Sequence, residues 1–376
     1  MRKSIVLSIA MGVALSASAD FTGAGYYRVR NLKTERWASV IDNYGYIDYG
    51  NTTADLQAIK LQKNFDVVCS DPASVLYIYP IGKKYQLEAQ GTGIEQIIGH
   101  HADLTVNGSS AGERLYLCSG TYEGFTKYLG DGKFFPGDLG AMATNTSNDY
   151  RRWFIRPITD EGENFFGVKP TIEADGKYYA TMYGGFPFSA YSEGVKAYYV
   201  AGVHNDMVYL EEIEGTVAAS TPVVMECSTD SPATNRLHIG GTGTPVRGNR
   251  LQGAYFCNWE VGPTSKHYNV RRYDPATMRV LGIRGDGALG FITATDLEFI
   301  PANTCYITVE AGSPAEYRIV DKDEYTAGVD DIALDETASN DVYNMHGVLI
   351  LRDATDAQID ALPRGIYIIG GRKVMK

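Results

Sequence analysis

The sequence predicts an all-β protein built from several modules. Its 376 residues include 27 tyrosines and 41 glycines, which favour strands, tight turns and amphipathic surfaces over helices. Most of the chain consists of short runs of alternating apolar and polar residues, separated by Gly, Asn, Asp and Pro. Helical spacing is confined to Thr53–Phe65 and Asp356–Leu362, where we predict short helices. The length allows two or three domains, each with its own core.

Residues 1 to 19 predict an export signal that is not part of the fold. Arg2 and Lys3 give a positive start, Ile5–Leu15 form a short apolar core, and Ala17–Ala19 read A-S-A, a cleavage pattern. We therefore expect the mature chain to begin at Asp20. No later segment has the roughly 18 uninterrupted apolar residues of a transmembrane helix. The protein is expected to pass through the periplasm and to act outside the cell or at its surface.

Charge and cysteine content limit the partners and cofactors. The formal net charge is -11, and no Lys/Arg-rich run appears away from the two ends. A nucleic-acid partner is therefore not expected, because it would need a basic stripe to neutralise phosphates. Five cysteines can form two disulfides with one thiol left over, or they can be small buried hydrophobic residues. Their spacing fits no zinc site, and we predict no metal and no other cofactor.

Residues 20 to 158 contain four similar strands that start about 40 residues apart. They begin at Tyr26 (YYRVRN), Val75 (VLYIYPI), Arg114 (RLYLCSG) and Arg152 (RWFIRPI), and the first three lead into a turn and a second strand. Repeats of this length, each of four strands, predict a β-trefoil-like module. The phrase YYRVRN-LKTERWASV resembles ricin-type trefoil lectins, in which a Y-x-φ-x-N strand precedes a basic turn and an aromatic strand. That resemblance implies a ricin-like β-trefoil fold.

Residues 167 to 322 predict a second all-β domain, after a polar and acidic linker at 159 to 166. Its strands alternate or run apolar, as in a β-sandwich. Val217–Cys227 (VAASTPVVMEC) and Ile300–Glu310 (IPANTCYITVE) share small polar residues, a Thr and an apolar strand, which indicates an internal repeat. The strand GKYYATMY, followed by A-x-T-P-V, resembles a β-sandwich module that recurs in exported proteins of the Bacteroidota. The resemblance implies an extracellular or surface accessory domain.

The C-terminal part predicts an acidic, solvated linker at 323 to 341 and a small β-module at 342 to 376. The last run, LPRGIYIIGGRKVMK, predicts a strand, a two-residue turn and a return strand. With the preceding V-Y-N-M-x-G-V, it resembles the C-terminal sorting domain of type IX secretion cargo, which implies the outer-membrane secretion machinery as a partner. The alternative is a hairpin that completes the sandwich. The residues that carry the resemblance are Gly365, Tyr367, Gly370, Gly371, Lys373 and Lys376.

No motif of a known catalytic class is present, so the sequence favours a non-catalytic role. It has no G-x-S-x-G elbow, no H-E-x-x-H, no P-loop and no G-x-G-x-x-G after a strand. Adjacent His100 and His101 would point to opposite faces of a strand, which disfavours a shared metal. GGTGT at Gly240 lacks the lysine of a phosphate loop, and the tripeptide Arg284–Asp286 (RGD) fits a tight turn.

Tyrosine-rich strands make carbohydrate the expected ligand. Phenol rings can stack on sugar rings while their hydroxyls form hydrogen bonds. The first predicted contacts are Trp37, Tyr44, Tyr46 and Tyr49. Two alternatives stay open: a hydrolase with an unrecognised site, such as a carboxylate pair, and a structural component of the cell surface. A second group, part of which we expect in strand cores, comprises Tyr178, Tyr179, Tyr183, Tyr191, Tyr198 and Tyr199.

Overall fold

The computed structural model confirms that the protein is mostly β. It describes residues 23–40, 59–81, 84–89, 103–105, 116–122, 125–131, 141–143, 153–255, 271–328, 341–344, 349–352, 354–363, 366–369 and 372–375. The predicted signal peptide lies outside these residues. Strands outnumber helices throughout the described parts, and each described helix is at most seven residues long.

The elements are numbered in chain order. The first region contains β1 (Gly25–Asn31), β2 (Trp37–Val40), β3 (Ile59–Gln62), α1 (Phe65–Val68), β4 (Leu76–Ile81), β5 (Lys84–Ala89), β6 (Asp103–Thr105), β7 (Tyr116–Tyr122), β8 (Phe125–Gly130), β9 (Ala141–Ala143) and β10 (Trp153–Pro157). The second contains β11 (Phe166–Gly167), β12 (Ile172–Ala174), β13 (Lys177–Met182), β14 (Phe188–Ala190), β15 (Lys196–His204), β16 (Met207–Glu212), β17 (Val223–Cys227), β18 (Arg236–Ile239), β19 (Leu251–Ala254), β20 (Met278–Ile283), β21 (Leu289–Ile292), β22 (Thr304–Thr308) and β23 (Glu316–Val320). The third contains α2 (Lys322–Gly328), β24 (Val342–Asn344), β25 (Leu349–Leu351), α3 (Asp356–Asp360), β26 (Ile366–Ile369) and β27 (Arg372–Met375).

The N-terminal region forms two sheets. One has the order β3-β2-β1-β4-β5, with β10 also paired to β1, and the other has the order β6-β7-β8-β9. All four strands that the repeat predicted are present, as β1, β4, β7 and β10, and so are the three that follow them, β2, β5 and β8. The trefoil arrangement of these strands stays a prediction.

The helix predicted over Thr53–Phe65 is wrong in its described part. Residues Ile59–Gln62 form strand β3, which pairs with β2 and buries Leu61 completely. Only Phe65–Val68 is helical, and Asn64 caps it because its side chain accepts a hydrogen bond from the backbone N–H of Asp66. Pairing to a neighbouring strand satisfies the backbone of this segment, so the local helical spacing is overridden.

The segment expected to be a linker, 159 to 166, ends in the core. Phe166 is fully buried and begins β11, while the 0%-exposed Arg28 of β1 reaches this segment from the N-terminal region. The Arg28 guanidinium donates to Asn164 Oδ1 at 2.9 Å and to the Phe165 carbonyl at 2.8 Å. It also donates to Ser74 Oγ at 2.7 Å and to the Cys69 carbonyl at 3.2 Å. The two regions are therefore joined through buried hydrogen bonds.

Ten of the strands between β12 and β23, all except β14 and β18, build one sheet that is an internal duplication. Its order is β12-β13-β17-β15-β16-β23-β21-β20-β22-β19. Along the chain, each half contains a strand (β13 or β19), a hairpin (β15-β16 or β20-β21) and a returning strand (β17 or β22). In the sheet, they lie in the order β13-β17-β15-β16 in the first half and β19-β22-β20-β21 in the second. Ser220 and Asn303 occupy equivalent positions before the two returning strands, and both have a positive φ, of 61° and 58°. The repeat indicated by the two similar segments is thus present in the topology.

The two repeats meet where the sheet curls. The backbone N–H of Tyr183, after β13, donates to the Asn303 carbonyl at 2.8 Å, and Asn303 Nδ2 donates to the Tyr183 carbonyl at 2.9 Å. The ring of Tyr183 stacks on that of Tyr255, after β19, with centroids 4.1 Å apart. One core lies inside this curl and includes Val200, Val224 and their counterparts Leu281 and Ile307.

The opposite face of the first repeat is covered by a three-stranded sheet of order β11-β18-β14. Phe166, Phe188 and Leu237 of that sheet share one core with Met225 and Cys227 of β17. The free cysteines Cys69, Cys227 and Cys305 are all buried. For these three, the structure therefore supports the small-hydrophobe alternative over disulfides.

The acidic stretch after β23 is not entirely a solvated linker. Its first residues form α2, whose Tyr325 packs over Gly202 and near Tyr209, with the two tyrosine centroids 5.8 Å apart. Beyond it, β25-β24-β26-β27 form a separate four-stranded sheet. Its core contains the buried residues Val342, Ala354 and Tyr367. The predicted helix at Asp356–Leu362 is confirmed as α3, which a Thr355 capping box starts.

Candidate functional site

Trp37 lies in the core of the N-terminal region. Trp37 is 8% exposed, and its ring centroid is 5.5 Å from that of Phe65. The guanidinium carbon of Arg30 lies 5.7 Å from the centroid of the Trp37 ring. Because Trp37 is nearly buried and lies beside Phe65 and Arg30, its ring offers little open face to a sugar. The other three predicted contacts, Tyr44, Tyr46 and Tyr49, lie outside the described residues, and for them the assignment stays a prediction.

The second tyrosine group divides between the two faces of the large sheet. Successive side chains of a strand point to opposite faces, so Tyr178 and Tyr179 separate, as do Tyr198 and Tyr199. Tyr178 packs against the core under the three-stranded sheet. Tyr179 and Tyr198 pack against the core inside the curl and remain partly exposed. Tyr199 lies on the other face, where its hydroxyl donates to Glu211 Oε2 at 2.7 Å.

Tyr179 and Tyr198 belong to a group that we call the Glu226 cluster. Four adjacent strands bring it together. Tyr179 of β13 pairs with Glu226 of β17, which pairs with Lys196 of β15, and β15 in turn pairs with β16, which carries Glu212. Lys177 Nζ lies 2.5 Å from Glu226 Oε1, and the Tyr198 hydroxyl lies 3.4 Å from Glu226 Oε2. Lys196 Nζ contacts Glu212 Oε2 of β16 at 2.7 Å. The members of the cluster are Lys177, Tyr179, Lys196, Tyr198, Glu212 and Glu226.

Burial and charge fix the protonation states of the cluster. Desolvation raises the pKa of Tyr179 to about 12, with the neighbouring Glu226 carboxylate as the next cause. The pKa of Tyr198 is also raised, for the same two reasons. Hydrogen bonds to their carboxylates raise the pKa of Lys177 and of Lys196. Near neutral pH the cluster therefore holds two neutral phenols and two ammonium groups.

The cluster combines apolar ring area with hydrogen-bonding groups at the edge of a core. Only 12% of the Glu226 side chain is exposed, whereas 53% of Lys177 and 44% of Lys196 is exposed. Such a surface can bind a ligand that has both C–H faces and hydroxyls. Sequence reasoning identified the tyrosines and missed the lysines and carboxylates. The signal was present as K-x-Y in both β13 and β15, because residues two apart on a strand share a face.

The remaining motifs fit structural roles. Arg284–Asp286 forms the turn between β20 and β21, with an ion pair between Arg284 and Asp286 at 2.6 Å. The Gly285 N–H donates to Glu316 Oε1 at 3.0 Å, which holds the turn against β23. Gly240 and Gly241 have φ values of 130° and 86°, as expected for a glycine-dependent turn. His100 and His101 lie outside the described residues.

Two of the predicted sorting residues, Tyr367 and Lys373, lie in the paired strands β26 and β27. Strands β26 and β27 are antiparallel neighbours, with Ile369 paired to Arg372. Tyr367 is 9% exposed, and its hydroxyl donates to the Pro363 carbonyl at 3.0 Å. Lys373 pairs with Ile368 along the backbone. The other four, Gly365, Gly370, Gly371 and Lys376, lie outside the described residues.

Comparisons with known proteins leave the family open. No protein family and no curated protein matches the sequence. One solved structure, that of a mosquitocidal holotoxin, is similar at 12% identity with a TM-score of 0.22, over 78% of this chain. The matched part is 35% of the toxin chain, so this protein spans about a third of its length. A TM-score this low does not establish a shared fold.

Neither a membrane-spanning helix nor a metal site appears in the described part of the chain. None of the helices in the described ranges is long and apolar enough to cross a membrane. Within the same part of the chain, no group of three or more His, Cys, Asp or Glu side chains is arranged to hold a metal ion.

Proposed function

We propose that this protein is exported and binds carbohydrate at or outside the cell surface without transforming it. The observation that carries the proposal is the Glu226 cluster, in which two partly exposed phenol rings lie beside paired ammonium and carboxylate groups. The rings supply area for the C–H faces of a sugar, and the polar groups supply hydrogen bonds to its hydroxyls. Tyr44, Tyr46 and Tyr49 remain proposed contacts of the N-terminal module.

The test is a glycan-panel binding assay on the purified chain, with the supernatant analysed for released sugars. Saturable binding without release is the expected result. Tyr198→Phe removes one hydroxyl and keeps the ring, and it should weaken binding by about threefold to tenfold if that hydroxyl bonds the ligand. Tyr199→Phe is the matched control, because Tyr199 is the next residue but lies on the opposite face.

Each other outcome rejects part of the proposal. Release of sugars would make the protein a hydrolase and direct attention to its carboxylates. Absence of binding to every glycan would favour a structural role. Equal affinity of Tyr198→Phe and the unchanged protein, together with an unaffected Tyr179→Ala variant, would place the site elsewhere.

We further propose that the C-terminal module directs export through a type IX-like pathway. Its support is the match of the terminal pattern and the separate sheet and core of residues 342 to 376. A reporter that carries an export signal and this module should reach the cell surface of a host that has the pathway. The same reporter without residues 342 to 376 should stay in the periplasm. Equal surface delivery of both would reject the proposal.

A further inference from the structure

The charges of the Glu226 cluster neutralise one another. Lys177 pairs with Glu226 at 2.5 Å, and Lys196 pairs with Glu212 at 2.7 Å. The cluster therefore contains two cations and two anions, each in contact with an opposite charge. An anionic ligand at either lysine would lie beside the carboxylate already paired with it, and a cationic ligand at either carboxylate would lie beside an ammonium, so each would meet a like charge. The chain as a whole carries a net charge of -11, which adds repulsion against any polyanion.

The groups left to a ligand are suited to hydroxyls. The two ammonium groups have three donors each, and both phenols stay protonated because the pKa of Tyr179 and Tyr198 is raised. Glu212, of which 41% of the side chain is exposed, offers accepting oxygens. A sugar hydroxyl both donates and accepts, so it can bridge an ammonium and a carboxylate without separating them.

The second repeat shows that this chemistry is not required by the fold. The topological counterpart of Glu226 is Val309. Its N–H donates to the Thr277 carbonyl at 2.9 Å, and this contact corresponds to the pairing of Glu226 in β17 with Lys196 in β15 in the first repeat. The counterpart of Tyr198 is Arg279, which is 3% exposed and donates to the Pro275, Ser313 and Pro314 carbonyls. The second repeat thus fills these positions with an apolar residue and a buried arginine, whereas the first repeat has a carboxylate and a partly exposed phenol.

We infer that the Glu226 cluster binds a neutral, hydroxyl-rich saccharide and discriminates against uronic, sulfated and cationic ligands. This inference rests on the proposed carbohydrate-binding function and specifies its ligand class. Anionic polymers meet Glu212 and Glu226, and cationic ones meet Lys177 and Lys196. A neutral chain meets neither repulsion, and it keeps both ion pairs intact.

The experiment measures the Kd of the full chain for matched neutral and acidic polysaccharides, from about 0.05 M to about 0.5 M NaCl. Neutral glycans should bind with a change in Kd of less than about twofold over this range, because an uncharged ligand has no charge–charge attraction to the protein for salt to screen. Glu212→Gln should leave that affinity within about twofold or weaken it, because the ligand does not use a freed Lys196 charge. Glu298→Gln is the control, since it frees Arg272 from an exposed 2.9 Å pair in the second repeat.

The outcomes separate the inference from the function on which it rests. Preferred binding of acidic glycans, with affinity lost in salt and increased by Glu212→Gln, would overturn the inference and leave carbohydrate binding intact. Failure to bind any glycan of either class would reject the proposed function, and the inference with it. Thermal melting of each variant checks that a change in Kd does not come from unfolding.

Discussion

Arg28 shows how one residue can hold two regions of the chain together. It is completely buried, yet burial lowers its pKa only to about 10, so the guanidinium stays charged at neutral pH. Its donors satisfy two buried carbonyls, those of Cys69 and Phe165, as well as two side chains. The rings of Phe65 and Phe166 lie 5.8 Å and 5.6 Å from its guanidinium carbon. We infer that this arrangement replaces the water that a buried cation loses.

Replacing Arg28 should therefore be severe. Arg28→Met leaves buried acceptors without donors, and we expect the free energy of unfolding to fall by about 3 kcal/mol or more. Urea unfolding measures this. Arg30→Met is the control on the same strand, because Arg30 forms a partly exposed pair with Glu35 and should cost less than about 1 kcal/mol. Equal effects of the two substitutions would contradict the role of Arg28 in the junction.

The cysteines give a second prediction at this scale. Burial raises the pKa of Cys227 to about 12, and it raises the pKa of Cys305 as well, so both thiols stay protonated at neutral pH. In a variant with Cys118→Ser and Cys257→Ser, we expect no rapid reaction with a thiol reagent in the folded state. In denaturant Cys69, Cys227 and Cys305 should all react. Fewer than three reactive thiols would indicate a disulfide that the structure does not contain.

At the scale of elements, the sequence predicted strands better than helices. Alternation located β1, β4 and β13 because each strand has a buried face and a more exposed face. The same reasoning failed at β3, where the helical spacing of a short segment competed with pairing to β2. It also missed α2, since an acidic composition does not reveal that Tyr325 packs over Gly202. Contacts between distant elements are not encoded in local spacing.

Gly253 of β19 tests the contact between the two repeats. A Cβ atom at this position would lie 2.3 Å from the Tyr183 ring, which is stacked on Tyr255 and has little freedom to move. Gly253→Ala should lower the free energy of unfolding by about 1–3 kcal/mol, the usual cost of overpacking. Gly285→Ala is the control, because there the nearest atom to the added Cβ is 3.5 Å away. A neutral Gly253→Ala would show that the repeats do not pack closely at this point.

At the scale of the whole molecule, the duplicated sheet explains why the sequence could locate a repeat but not the candidate site. Val217–Cys227 and Ile300–Glu310 are similar because each contains the turn and the strand that return into its half of the sheet. The Glu226 cluster, in contrast, comes from four strands of one half, and its members are up to 49 residues apart in sequence. The residues that the two repeats share reflect what the fold requires, and the candidate site lies at positions where the repeats differ.

Alkaline pH should destabilise the protein by ionising tyrosines that folding partly or fully desolvates. Desolvation raises the pKa of Tyr179 and of Tyr199 to about 12, and it raises the pKa of Tyr183 and Tyr255 in the contact between the repeats. A group whose pKa is higher in the folded state binds its proton more tightly there. Its contribution to stability is complete below the unfolded value of about 10 and is lost as the pH rises toward 12.

We therefore expect the melting temperature to be level from about pH 8 to about pH 9.5 and to fall by several degrees by about pH 12. Ultraviolet absorbance of the phenolate should show part of the tyrosines ionising only as the protein unfolds. In Tyr179→Phe the fall should be smaller, because one of the titrating groups is gone. A melting temperature that stays level to pH 12 would mean that these phenols are no more buried in the folded chain than in the unfolded one.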